Sequence, residues 1–132
     1  MIRFHLFWLA GLVLGTPVIA QPRAEANRGD GATIYRDTWG VPHVYADREE
    51  DGFYGLGYAV AEDEGQFIGQ VALAARGTAA AAFGAALVGS DYTSRLWRHT
   101  EESRAGLARL SPQLRLNYQR WAQGFNRYVS EH

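Results

Sequence analysis

The chain has 132 residues, with 13 basic residues against 14 acidic ones and a formal net charge of -1; that length allows one domain and excludes a large multidomain enzyme. Hydrophobic residues make up 47%, which argues against wholesale disorder, and a near-neutral charge leaves no basic excess to neutralise nucleic-acid phosphates. There is no Cys and no Lys, so a disulfide scaffold, a thiolate zinc site, a Cys nucleophile, a Schiff-base lysine and a P-loop lysine are all excluded.

The first twenty residues read as a secretory signal peptide. Arg3 supplies the positive charge, Leu6 to Leu14 is almost wholly apolar, and Val18-Ile19-Ala20 places small or medium residues before a cleavage site. The apolar stretch is shorter than the roughly 20 residues needed to span a bilayer, so no stable membrane anchor is expected. Cleavage after Ala20 places the mature chain in the periplasm or outside the cell, beginning at Gln21. Residues 21–31 are polar, with Pro22, Gly29 and Gly31, and read as a flexible leader.

Ala32 to Arg36 is β-branched and aromatic, and Val41 to Ala46 has the same character. Asp37-Thr38-Trp39-Gly40 between them has turn chemistry, so the two strands form a hairpin. Asp47 is the expected N-cap of a long helix reaching about Ala75, with Glu49, Glu50 and Asp51 loading its first turn. Phe53, Leu56, Val60, Ile68, Val71 and Ala75 mark its expected buried stripe. Gly52, Gly55, Gly57, Gly65 and Gly69 each cost about 1 kcal/mol against Ala inside a helix, so another backbone is expected to approach closely.

Gly77 ends that helix. Thr78 to Phe83 forms a short alanine-rich helix closed by Gly84, and Ser90-Asp91 are expected to cap the next one, through Trp97. Thr100 to Leu110 is helical in composition. Ser111-Pro112 is an N-cap followed by Pro at the first helical position. The last helix presents Leu114, Tyr118, Trp121, Phe125 and Tyr128 as one stripe. Two strands are too few for an independent sheet. The chain therefore reads as the opening segment of a larger fold, and isolated folding is expected to be near break-even.

Candidate chemistry is thin. His43 beside Pro42 is read as a hydrogen-bonded structural residue, because no nucleophile is tied to it by spacing. Glu62-Asp63-Glu64 point in different directions on a helix and are expected to form buried salt bridges or caps rather than one metal site. Gly55-Leu56-Gly57 lies inside a helix and is no dinucleotide fingerprint. Ser90, Ser94, Ser103 and Ser111 are loop or capping serines outside any Gly-x-Ser-x-Gly elbow. Arg95 and Arg98 suit a carboxylate clamp but are read as surface residues.

The order of motifs says more than any one of them. Ile34-Tyr35-Arg36-Asp37-x-Trp39-Gly40-Val41-Pro42-His43-Val44-Tyr45-Ala46 resembles the opening of the penicillin acylase (penicillin amidase) family. Asp51, Phe53-Tyr54-Gly55-Leu56-Gly57-Tyr58-Ala59 and Ala61-Glu62-Asp63 continue it. Arg76-Gly77, Phe83-Gly84, Asp91, Arg95, Ser111-Pro112 and Trp121-Ala122-x-Gly124-Phe125-Asn126-x-Tyr128 follow in the family's order. One departure stands out: where the family has Arg, a bulky apolar residue and an aromatic, this chain has Glu64-Gly65-Gln66.

The resemblance implies an α+β segment of the four-layer αββα fold of N-terminal nucleophile hydrolases, mostly helical with one N-terminal hairpin. It implies an exported precursor that cuts itself into an α chain, a spacer and a β chain. The nucleophile is the Ser at the new β-chain N-terminus, whose own amine acts as base. No residue of this chain matches that Ser, so residues 32–132 are expected to be scaffold, with no catalytic, cofactor-binding or metal-binding residue. The partners implied are the chain's own β chain and a small-molecule amide, either a β-lactam or an N-acyl compound such as an acyl-homoserine lactone. No cofactor is expected in this segment; a structural calcium in the full-length protein is compatible with the resemblance. The alternative is a stand-alone secreted helical binding module that docks through the aromatic face of the last helix.

Overall fold

A computed structural model describes residues 31–132 in full and, before them, the backbone of one short strand, Arg23–Glu25. The expected signal peptide lies outside the described residues. Strands β1 (Arg23–Glu25), β2 (Ala32–Arg36) and β3 (Pro42–Ala46) form an antiparallel sheet in that order. Five helices follow: α1 (Glu49–Arg76), α2 (Ala79–Phe83), α3 (Val88–Leu96), α4 (His99–Arg109) and α5 (Pro112–Glu131), with a 3-10 turn at Ala85–Leu87. No helix among the described residues is long and apolar enough to cross a membrane.

The hairpin falls where the sequence places it. Ile34 pairs with Val44 and Arg36 with Pro42, which sits at the strand start where its missing N–H does no harm. The leader is a different matter. Three of its residues pair with β2, Arg23 opposite Arg36 and Glu25 opposite Ile34, so the hairpin has a third strand.

The inner half of α1 packs on the hairpin, and α5 packs along α1. Ile34, Tyr58 and Ala59 form the core, with Val44 and Tyr128 packed against them. The Tyr58 and Tyr128 rings meet edge-on at 5.3 Å, a geometry their quadrupoles favour. The α1–α5 crossing is notched on both sides. A Cβ on Gly57 would lie 2.0 Å from the Trp121 carbonyl oxygen, and one on Gly124 would lie 2.0 Å from that of Tyr54. Gly55 faces the hairpin, where a Cβ would meet Val44 and Ala32. Of the α1 glycines, Gly57 therefore meets another backbone as expected, Gly55 meets side chains instead, and Gly65 and Gly69 have nothing within 4 Å.

The buried faces differ from the expected stripes. On α1 the buried residues include Tyr54, Tyr58, Ala59 and Ala61, whereas Leu56 and Val71 are exposed. On α5 Asn117 and Gly124 are buried while Leu114 and Tyr118 are exposed. Where the two helices touch most closely the contact is made by glycines, Gly57 on α1 and Gly124 on α5, while Tyr54 and Tyr58 are buried beside them. Large apolar residues flank the crossing instead.

The helix ends show how the chain turns. Gly77 adopts φ 69° at the end of α1, and its N–H reaches back to Ala74 O, the left-handed stop that glycine allows without strain. The N-cap of α1 is Arg48, not Asp47, and it makes no side-chain cap bond. Its guanidinium instead pairs with Glu50 and Asp51 of the first turn. Ser111 caps α5 as expected, accepting from Leu114 N at 3.3 Å. Arg115 Nη2 donates to Ala108 O at 2.8 Å, satisfying a carbonyl at the end of α4.

Candidate functional site

The hairpin tip is held by a set of turn and side-chain hydrogen bonds. Asp37 Oδ1 accepts from Trp39 N at 2.8 Å and Val41 N at 2.9 Å, the Asx geometry that makes Asp a turn residue. Gly40 N donates to Asp37 O at 3.0 Å, with Gly40 at φ 82°. Arg36 reaches over the turn: Nη1 donates to Gly40 O at 2.7 Å, and Nη2 bonds Glu62 at 2.6 Å and Asp63 at 2.9 Å. One guanidinium thus ties the turn, β2 and the middle of α1 together.

Glu62 and Asp63 form salt bridges with Arg36, as expected, and Glu64 is exposed beside them. Among the described residues no cluster of three His, Asp or Glu could hold a metal ion. His43 Nε2 lies 3.3 Å from Asp37 Oδ2 on the outer face of β3. No serine among the described residues bonds His43, so no nucleophile–base pair forms there.

The Asp37 carboxyl is held below the usual carboxylate range. Local desolvation works against its ionised form, but hydrogen bonds from Val41 N–H, His43 and Trp39 N–H outweigh it. The turn should therefore hold at neutral pH and lose order as pH falls below about 4, through the depressed native value. Amide NMR signals of Trp39 and Val41 followed from pH 6 to pH 2 should move with an Asp37 titration. Asp37→Asn should abolish that movement. Signals that stay fixed down to pH 2 in the unsubstituted protein would contradict it.

A second bonded cluster closes the far end of α1. The buried Asp91 accepts from Ala79 N and from Ala80 N, both at 2.9 Å. Asp91 thus caps α2, twelve residues back, and not the helix that contains it, as the sequence suggests. It lies in the first turn of α3, which begins at Val88. Arg95, one turn further along α3, donates from Nε to Gly77 O at 2.8 Å. It binds a carbonyl and clamps no carboxylate. Arg98 sits at φ 55° where α3 gives way to α4. Ser90 and Ser103 are exposed, Ser94 is buried and Ser111 is the cap of α5.

A third cluster lines the α1–α5 crossing near the start of α1. Asn117 Nδ2 donates to Glu49, and Gln113 donates to Asn117 Oδ1 at 3.0 Å. Arg120 Nη2 meets Asp51 at 2.9 Å, with its guanidinium 4.8 Å from the Tyr54 ring centroid. The sequence does not reveal these pairs, because their members are nearly seventy positions apart. The buried Asn117 within an amphipathic helix is the one signal that points to them.

All three clusters join secondary elements, and none brings a nucleophile to a base. Their arrangement is that of a scaffold: a hairpin backed by a long helix, crossed by a second helix through reciprocal glycine notches. That architecture is part of the αββα fold of N-terminal nucleophile hydrolases. It matches the solved thermostable penicillin G acylase of Alcaligenes faecalis with a TM-score of 0.64 at 34% identity, over 76% of this chain and 53% of that one. The penicillin amidase family model matches residues 31–132. The chain belongs to that family.

Two relatives give the scale. The chain is similar to penicillin G acylase of Escherichia coli, 34% identical over 98 residues, which are 74% of this chain and 12% of that protein. It is similar to the acyl-homoserine lactone acylase PvdQ of Pseudomonas fluorescens strain Pf0-1, 30% identical over 137 aligned positions covering 98% of this chain and 18% of that protein. The chain therefore spans less than a fifth of the length of either.

Proposed function

We propose that this chain is the N-terminal, α-chain part of an exported amidohydrolase that cleaves an acyl group from an amide. The substrate class is a β-lactam or an N-acyl compound such as an acyl-homoserine lactone, after the two kinds of relative. The observation that carries the reading is the family match over residues 31–132, continuous from the hairpin through α5. The lengths support a two-chain form. The stretch that fills about half of the solved Alcaligenes chain fills about an eighth of the E. coli protein. In this reading the nucleophile lies outside residues 1–132, and the segment contributes scaffold and no catalytic residue.

Two experiments test it. Purified residues 21–132 should hydrolyse neither phenylacetyl amides nor long-chain acyl amides, because they lack the Ser whose own amine serves as base. The product of the gene read together with its downstream frame should hydrolyse at least one of them. Turnover by the segment alone, or none by the longer product, would overturn the reading. Export is tested separately: N-terminal sequencing of periplasmic material should begin at Gln21. A mature chain that keeps Met1 would refute cleavage after Ala20.

A further inference from the structure

Helix α3 is amphipathic in the reverse sense to an ordinary globular helix. Its inward face carries the buried Asp91 and Ser94. Val88, Tyr92 and Leu96, spaced four residues apart along the other face, are 57%, 66% and 61% exposed. Trp97, which ends the helix, is 66% exposed. The polar side does the anchoring: Asp91 accepts from the amides of Ala79 and Ala80, and Arg95 donates to Gly77 O. The large apolar residues of α3 are thus held outward on a fixed element, and an apolar patch of this kind marks an interaction site.

Residue type and charge name the occupant. Arg95, Arg98 and His99 are exposed and flank Leu96 and Trp97 in the chain. Trp and Tyr beside Leu and Val, rimmed by Arg, is the composition that settles at the headgroup level of a bilayer. There the rings and aliphatic groups enter the interface and the guanidinium groups meet lipid phosphates. We propose that the outward face of α3, with Trp97, is a docking surface for an anionic lipid bilayer. The protein lies on the membrane through it; no described helix is long and apolar enough to cross one. A second copy of this chain is disfavoured, because a symmetric contact through this face sets Arg95, Arg98 and His99 against their own counterparts. Glu101 and Glu102 follow in the first turn of α4 and keep the net positive charge small. The apolar residues therefore carry most of the affinity, and Arg98 adds the preference for anionic lipid. On the reading above, this surface brings the enzyme to the layer into which the acyl chains of its substrates partition.

The test uses the product of the gene read with its downstream frame, and vesicles of phosphatidylethanolamine with phosphatidylglycerol. The product should float with these vesicles, and less with phosphatidylcholine alone. The chain has no Cys, so Tyr92→Cys adds a thiol whose labelling can be mapped to its own peptide. That thiol should label readily without vesicles and be protected by them. Leu96→Ser with Trp97→Ser should lower vesicle affinity about tenfold or more. Arg98→Glu should lower it about tenfold on the anionic vesicles only. Amide hydrolysis in solution should be unchanged in each variant, which shows that the fold survives. No flotation, flotation untouched by the Ser substitutions, or a thiol at position 92 already shielded without vesicles would overturn the inference; in the last case protein covers the face. A product that hydrolyses an amide but does not float removes this surface and leaves the proposed function standing. One that floats but hydrolyses no amide does the reverse.

Discussion

Gly57→Ala or Gly124→Ala should destabilise the α1–α5 crossing by about 3 kcal/mol, the upper end of the overpacking range. Each added methyl would stand 2.0 Å from a backbone carbonyl oxygen of the other helix. A flexible side chain can step aside from such a contact; a helical carbonyl cannot, so the helices must separate. The sign is informative, because Gly→Ala inside an open helix stabilises by about 1 kcal/mol. Gly106→Ala in α4, where nothing lies within 4 Å, should show that opposite sign. Hydrogen exchange of the inner α1 amides measures the local opening free energy. A Gly57→Ala protein within 0.5 kcal/mol of the original, a margin about that of a neutral surface change, would refute the notch.

Asp91→Ala should loosen the junction of α1, α2 and α3 by about 2–4 kcal/mol. It leaves the N–H groups of Ala79 and Ala80 without their acceptor, each worth about 1–3 kcal/mol when buried. Ala79 is 1% exposed, so water cannot replace the lost carboxylate there. Asp91→Asn keeps one acceptor oxygen and should lose about half as much. Exchange rates at Ala79 and Ala80 should rise together in the Ala variant, ahead of those in α5. If the two amides keep their protection, another group caps α2.

The sequence shows some of this directly and hides the rest for a physical reason. Local rules place the hairpin, the Gly77 stop and the Ser111-Pro112 start, since each depends on a few adjacent residues. The Asp37 turn is equally local. The buried faces of α1 and α5 are hidden because the expected apolar stripe does not mark them: Tyr54, Tyr58, the glycines and Asn117 do, and the glycines' role appears only when two helices meet. Asp91 misleads for the same reason. Its position suggests an N-cap for its own helix, yet its carboxylate reaches the start of another. The Glu62-Asp63 pair is legible as a salt bridge, but its partner, Arg36, is 26 and 27 residues away.

The tight crossing also fixes geometry at a distance. Helix α1 is continuous from Glu49 to Arg76, and Gly57 lies near one end of it. The part beyond Gly57 is a rod of about 28 Å, so a tilt of about 5° at the notch swings its far end through about 2.5 Å. That displacement would carry α2 and α3 with it, since Asp91 joins α3 to α2 and Arg95 joins α3 to Gly77 at the end of α1. The glycine pair therefore works as a fulcrum without play, and the accuracy with which the outer end of α1 presents its surface is set at the other end of the rod.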